Sequence, residues 1–311
     1  MIDLSIIIVS WNCKEYLQKC LRSIVSYPPI CAYEIVVVDN ASSDGTIESV
    51  RLLFPEVKII VNDKNQGFAA ANNIALKQCQ NRYFLLLNPD TIVFHGALQA
   101  LVEYADRHSN AWGVGPAIVN ADGSPQRTGI RFPNNWNILV ETLFLDKIFP
   151  QSRIFGSHRE LYIDPSLARK VDYVQGSCLL IKHEAIQIIG MLDEKYFMYF
   201  EETDWWYRVH QMGGEVHYIS ESTIKHYGGS ESAHYDSWKV LQYHRSLLRY
   251  YKKHYSIFSR ILIRCILFIR SLIRAFGWAV VMILHPLQRK KALSTCNGYC
   301  KLIPLLFTKV R

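Results

Sequence analysis

Tyr83-Phe84-Leu85-Leu86-Leu87-Asn88-Pro89-Asp90 limits what this chain can fold into more than any other stretch. A run of apolar residues without alternation has no face for water. It reads as a strand covered on both sides, the pattern of a central parallel strand. Pro89 has no N–H with which to continue a central ladder, so the strand ends and presents Asp90 just past its carboxyl end. Ligands of open α/β sheets sit along that edge. A carboxylate aimed there can anchor a hard divalent cation carrying a diphosphate. An Asp that merely caps the next segment would look the same in isolation, and the rest of the chain decides between the two.

The first hundred residues alternate strand and helix. Leu4–Ser10 is apolar and precedes a helical stripe at Leu17, Leu21, Ile24 and Val25 within Lys14–Ser26. The run 34–39 is a second buried strand that again delivers a carboxylate, Asp39, at its end. The polar turn Asn40-Ala41-Ser42-Ser43-Asp44-Gly45-Thr46 starts a helix to about Phe54, and 57–61 is a third strand. Asn65-Gln66-Gly67-Phe68 leads into a helix over 69–79. This order predicts a doubly wound, mostly parallel α/β sheet. Further on come a helix over 97–104, a strand over 112–119 and a hairpin turn at Asn120-Ala121-Asp122-Gly123. The stretches 127–133 and 136–149 read as material laid over the sheet. A strand over 171–181 is interrupted at Gly176-Ser177, and a turn falls at Gly190. Glu201-Glu202-Thr203-Asp204 opens a helix to about Met212, where acidic residues are also favoured by the helix dipole. A last strand over 215–219 precedes His226-Tyr227-Gly228-Gly229-Ser230.

Charge divides the chain. Up to Asp236 there are 20 Lys and Arg against 27 Asp and Glu; beyond it stand 15 Lys and Arg and no acidic residue. The expected organisation is a catalytic body over 1–236 and a basic helical region over 237–311, whose partner is anionic. Ile257–Leu284 is apolar except for Arg260, Arg264, Arg270 and Arg274, which fall within a sector of ~120° at 100° per residue. A helix lying in the plane of an anionic membrane surface would keep these arginines among phosphates, whereas a spanning one would bury them. Nucleic acid is disfavoured, because the remaining face is broad and greasy rather than set with stacking aromatics. The eight cysteines lack a paired framework and read as reduced cytosolic thiols. The N-terminus reads as a first strand, not a signal peptide.

Six motifs in register resemble the family 2 glycosyltransferases with a GT-A (Rossmann-like) fold, in the bacterial rhamnosyltransferase-like branch. They are Ile8-Val9-Ser10-Trp11-Asn12, the Val38-to-Thr46 segment, Asn65-Gln66-Gly67-Phe68 with Asn72-Asn73, Leu87-Asn88-Pro89-Asp90, Gly190-Met191-Leu192-Asp193-Glu194 and the Met198-to-Arg208 segment. The resemblance covers roughly 1–254. It implies that Asp39 accepts a hydrogen bond from a pyrimidine base, and that Ser10, Asn12, Asn65, Gly67 and Asn73 line the nucleotide and sugar. Asn88-Pro89-Asp90 stands where the family has Asp-x-Asp, so one carboxylate is replaced by a neutral oxygen donor. Asp90 and His226 would hold Mn²⁺ or Mg²⁺. Glu201-Glu202 matches the family's Glu-Asp pair, which makes Glu202 the candidate base, with Glu201 and Asp204 as alternatives. Trp205, Trp206 and Tyr199 could stack on an acceptor sugar; Arg131 and Gly176-Ser177 are further acceptor-side candidates.

The implied activity is inverting transfer of a sugar from a nucleotide-diphosphate donor, with L-rhamnose from dTDP-rhamnose as the branch's example. The implied acceptor is a lipid-linked saccharide in surface polysaccharide assembly, at the cytoplasmic face of the plasma membrane. Two other readings stand beside it. A sugar nucleotidyltransferase would want a basic, glycine-rich triphosphate loop near the N-terminus, and Trp11-Asn12-Cys13 is not one. A membrane-tethered nucleotide-sugar binder without catalysis is hinted at by Asn88.

Overall fold

A computed structural model describes residues 3–126, 128–160, 162–228 and 236–308; Gly229 and Ser230, in the stretch after His226, lie outside the described residues. The strands are β1 (Leu4–Ser10), β2 (Tyr33–Asp39), β3 (Lys58–Val61), β4 (Tyr83–Leu87), β5 (Thr91–Val93), β6 (Ala111–Val119), β7 (Pro125–Gln126), β8 (Gly129–Ile130), β9 (Arg169–Val171), β10 (Tyr173–Val174), β11 (Cys178–Lys182) and β12 (Glu215–His226). The helices are α1 (Lys14–Ser26), α2 (Thr46–Leu53), α3 (Phe68–Gln78), α4 (Ala97–Arg107), α5 (Asn135–Thr142), α6 (Leu145–Ile148), α7 (His183–Ile189), α8 (Glu201–Gln211), α9 (Asp236–His254), α10 (Ile257–Leu284) and α11 (Arg289–Leu305). The chain forms two compact units. One comprises Met1–Phe132, Ile163–Phe197 and Glu201–Glu231; the other comprises Pro133–Tyr162, Met198–Phe200 and Ser232–Arg311.

The first unit is the α/β body. Its sheet runs β3-β2-β1-β4-β11-β6-β12-β5, with β3, β2, β1 and β4 parallel to one another. β11 is antiparallel to both β4 and β6, and β12 is parallel to β6. Alternate residues explain why both faces are covered. Ile6, Ile8, Leu85 and Leu87 pack with Leu17, Cys20, Leu21 and Ile24 of α1 on one side. Ile7, Val36, Leu86 and Phe84 pack with Ala69, Ala71, Ala75 and Leu76 of α3 on the other. Each such side chain taken from water contributes about 1.5–3 kcal/mol, which is why the central run tolerates no polar residue. β12 extends past Ile219 to His226 through an irregularity between Ile219 and Thr223, so the last strand is longer than its apolar stretch predicts. β5 and α7 are too short to show a period.

The second unit differs from expectation in membership and in orientation. The stretch 136–149, expected over the sheet, groups with the C-terminal helices. α10 matches its predicted span, and α11 follows it. The arginines of α10, however, are held by the protein, with Arg260, Arg264 and Arg274 still partly exposed. Arg270 is buried and donates to Thr142 Oγ1 (3.0 Å), Ile138 O (3.2 Å) and Glu141 Oε2 (3.2 Å). Arg274 donates to Glu141 O (3.3 Å), Arg264 to Leu306 O and to Thr308 O (3.2 Å), and Arg260 to Tyr255 O (2.8 Å). Burial takes Arg270 out of the expected placement among phosphates. The carbonyls left over at the C-terminal ends of α5 and α11 need donors, and cations there are favoured by the helix dipole.

Candidate active site

The carboxyl edge of the sheet collects most of the residues singled out from sequence. Ser10 pairs with Asp39, and Asp39 with Val61, at the ends of β1, β2 and β3. Leu87 lies opposite both Ile8 and Cys178. Asn88-Pro89-Asp90 and Gly176-Ser177 therefore emerge side by side, and the Asn88 N–H donates to Ser177 O at 3.0 Å. His226 ends β12 opposite Thr91.

The nucleotide-side loops are stitched together by short polar side chains. Asp39 is buried; its Oδ2 accepts the Ser42 N–H (2.8 Å) and its Oδ1 the Ser42 hydroxyl (2.5 Å). This Asx turn leaves each oxygen a second lone pair. Asn12 is exposed with φ +50°, a left-handed conformation that Asn tolerates. Its Oδ1 accepts the Ser43 N–H (2.7 Å), and its own N–H donates to Ser42 Oγ (2.9 Å). Ser10 is fully buried against Cys13, so it serves the edge through its carbonyl, which accepts the Asn40 N–H. Asn65 Oδ1 accepts the Gly67 N–H at 2.9 Å. Gly67 has φ +84°, and a Cβ there would lie 2.3 Å from Phe197 O, so only glycine allows this approach. Asn73 is committed elsewhere. Its amide donates to Leu192 O (2.9 Å) and Glu194 Oε1 (3.0 Å) and accepts the Leu192 N–H (3.1 Å). It thus pins the 192–194 turn and has no amide hydrogen left for a sugar.

Asp90 and His226, 136 positions apart in sequence, meet: Nε2 of His226 stands 3.2 Å from Asp90 Oδ1. The ring's other nitrogen, Nδ1, is 3.0 Å from Gln126 Oε1, while Gln126 Nε2 donates to Asn120 Oδ1 (3.3 Å). A hydrogen on Nδ1 would be held by Gln126 Oε1, which would free Nε2 for a cation bound beside Asp90. Beneath the turn, Cys20 lies 3.5 Å from Thr91 Oγ1, and burial pushes its thiol pKa up to about 12. A carboxylate oxygen and an imidazole nitrogen at the Asp90–His226 separation could both reach one divalent cation. Among the described residues no group of three or more His, Cys, Asp or Glu side chains could hold a metal alone. Two protein side chains alone would leave most positions of a hard cation to other ligands.

The acidic side chains sit on the first turn of α8. Tyr199 (φ +67°) and Phe200 (φ +69°), two consecutive left-handed residues, lead into it, a conformation that costs about 1–3 kcal/mol at each position. Glu201 is 6% exposed. Neither Oε2 of Glu201 nor Oε2 of Glu202 has a hydrogen-bond partner among the described residues. Burial raises the pKa of both; the charge of Glu202 raises Glu201 further, whereas the N–H groups of Glu202, Thr203 and Gly176 partly pull Glu202 back. A Cβ on Gly176 would lie 3.7 Å from the Glu202 carboxyl carbon. This is ordinary contact, so Gly176 does not relieve crowding; its N–H reaches the carboxylate. Asp204 is different: it has no exposed surface and is paired with Arg208 at 3.1 Å, which also holds Ile189 O and Met191 O. A carboxylate so neutralised has a structural task, which corrects its standing as an alternative base.

A model described as glycosyl transferase family 2 matches residues 5–186. The chain belongs to that family. Similar proteins include the N-acetylglucosaminyl-diphospho-decaprenol L-rhamnosyltransferase of Mycobacterium tuberculosis, 25% identical over 78% of this chain and 82% of that one. The rhamnosyltransferase WbbL of Escherichia coli (strain K12) is 25% identical over 79% of this chain and 91% of its own. Among solved structures, the mannosyltransferase PcManGT from Pyrobaculum calidifontis, in complex with GDP-Man and Mn²⁺, superposes with a TM-score of 0.57. That match covers 97% of this chain and 86% of the other at 15% identity, and it supports the GT-A fold alone.

Within this family 2 glycosyltransferase, two aromatic expectations give way. Trp205 and Trp206 are core residues rather than stacking platforms. A Cβ on Gly113 of β6 would come within 2.0 Å of the Trp206 ring, and the Trp205 N–H donates to Gly190 O (2.7 Å). Two residues were missed from sequence. Asn40 is buried, donates to Gly67 O (3.3 Å) and accepts from Asn62 (2.9 Å); its place directly after Asp39 was a usable signal. Gln126 gives no such signal, because only folding brings it to His226.

Proposed function

We propose that this glycosyltransferase moves L-rhamnose from dTDP-rhamnose, with inversion and with a divalent cation, onto a lipid-linked saccharide in surface polysaccharide assembly. It would do so at the cytoplasmic face of the plasma membrane. The observation that carries the reading is the meeting of Asp90 and His226 at the sheet edge onto which the Gly176-Ser177 turn, with Glu202 against it, also opens. The names of the two rhamnosyltransferase relatives, one of them specifying a diphospho-decaprenol acceptor, support the donor sugar and the acceptor class.

In this reading Asp39 and Asn12 receive the nucleotide and Asn65 the sugar-facing loop, while Asp90 and His226 hold Mn²⁺ or Mg²⁺. The cation, when bound, neutralises the charge that grows on the departing diphosphate. Glu202 takes the proton from the acceptor hydroxyl as its oxygen forms a bond to the anomeric carbon. The bond to the diphosphate oxygen breaks on the opposite face, and its electron pair leaves with the nucleotide. A buried carboxylate with a raised pKa is a stronger base than one in water, provided the pH keeps it ionised.

The test is thermal stabilisation by a panel of nucleotide sugars with and without Mn²⁺. dTDP-rhamnose with Mn²⁺ should raise Tm most, and Asp90→Ala should erase the Mn²⁺-dependent part of the shift. An equal shift without metal, retained in Asp90→Ala, would remove the cation from the reading.

A further inference from the structure

Turning the arginines of α10 inward leaves the opposite side of the helix to solvent, and that side is apolar along its length. Phe258, Ile261, Leu262, Ile269, Leu272 and Phe276 are all exposed, Phe258 and Phe276 by more than 70%. At 100° per residue these positions share one sector of about 100°, opposite the four arginines, and run for about 27 Å along the axis. A continuous apolar stripe of this size is far more than scattered surface hydrophobics.

Charge identifies the occupant. Lys252 and Lys253 are exposed just before α10, and Arg289, Lys290 and Lys291 are exposed just after it. The chain beyond Asp236 carries no acidic residue. A second copy of this face would bring basic clusters against basic clusters, whereas a bilayer offers acyl chains to the stripe and phosphates to its two ends.

We propose that α10 lies in a phospholipid bilayer with its Phe258–Phe276 stripe among the acyl chains, held by apolar burial, while its arginines serve as internal clamps. This inverts the electrostatic attachment read from the sequence. It rests on the membrane placement proposed above but not on the transfer chemistry, and its test measures no transfer, so the two can fail separately.

The full chain is mixed with vesicles of phosphatidylcholine, with and without phosphatidylglycerol, and sedimented. Binding to both should persist in about 1 M salt, where charges are screened beyond ~3 Å. The triple variant Phe258→Ser, Ile261→Ser, Phe276→Ser should lose at least about tenfold in partitioning while keeping its urea midpoint. The unmodified chain supplies a second readout, because Cys265 is exposed on the same sector. Vesicles should slow its labelling by a water-soluble maleimide, located by peptide mass, at least about tenfold. Three outcomes would each overturn the proposal. One is release by salt alone. Another is undiminished Cys265 labelling on vesicles. The third is a soluble dimer that ignores vesicles and that the triple variant disperses.

Discussion

Two buried acidic sites, one in each unit, have opposite electrostatics. Glu141 in the helical unit is surrounded by cations, with Arg270 Nη2 at 3.2 Å, His158 Nε2 at 3.5 Å and Arg159 Nε at 4.0 Å. Burial alone would raise its pKa, but these positive neighbours win and hold it below the ordinary glutamate value. His158 is itself driven toward the neutral form by burial, so the lasting counter-charge is the guanidinium of Arg270. Glu201 and Glu202 on α8 have burial without a cation, and both pKa values rise. A carboxylate that folding neutralises is structural. A pair left desolvated, with an unpartnered oxygen on each, is a cost that stability alone gives no reason to retain, and such sites are where proton transfer is found.

The sharpest way to break this contrast is to neutralise one member of each site. Glu202→Gln should lower kcat by about 10²–10⁴-fold without lowering the urea midpoint, as measured by transfer assay and equilibrium unfolding. Turnover near that of the unmodified chain would assign the base elsewhere, with Glu201 next. Glu141→Gln should do the reverse. It strands the buried Arg270, and breaking such a pair costs about 3 kcal/mol or more, read as a fall in the urea midpoint of the helical unit. A midpoint unchanged by Glu141→Gln would mean that the carbonyl and hydroxyl acceptors, Ile138 O and Thr142 Oγ1, suffice for Arg270.

The same contrast explains what was legible in the sequence. The elements of the body, and α10 of the helical unit, could be read because they are local and periodic; β1, α1 and α10 fall within their predicted bounds. The Asp90–His226 meeting was anticipated only through resemblance; nothing in the spacing of two residues on β-strand ends fixes a distance. Asp204 stands four residues before Arg208 on one helix, so their pairing follows from spacing, whereas the complete burial of that carboxylate does not. The orientation of α10 was misread for a related reason. Helical periodicity defines two faces of the cylinder but does not say which one meets protein, and acceptors at the ends of α5 and α11 settle it for the arginines.

The smallest effect expected is also the most discriminating, because its sign differs between the two sites. For Glu201 and Glu202 the folded chain binds protons more tightly than the unfolded chain, whose glutamates titrate near 4.5. Between that value and the raised folded value, stability falls as pH rises, by at most about 1.4 kcal/mol per pH unit for each proton. Glu141 behaves oppositely: its contribution is present above the unfolded value and is lost as pH falls through the lowered folded one. In urea midpoints measured from pH 5 upward the α8 pair contributes a decline with pH, set against a rise up to about 6.5 from His158 and His244, which burial keeps neutral in the folded chain. Glu201→Gln should flatten that decline while Glu141→Gln leaves its slope intact. If Glu201→Gln leaves the slope unchanged, the α8 pair is not holding an extra proton in the folded state, and the case for Glu202 as a desolvated base loses its electrostatic half.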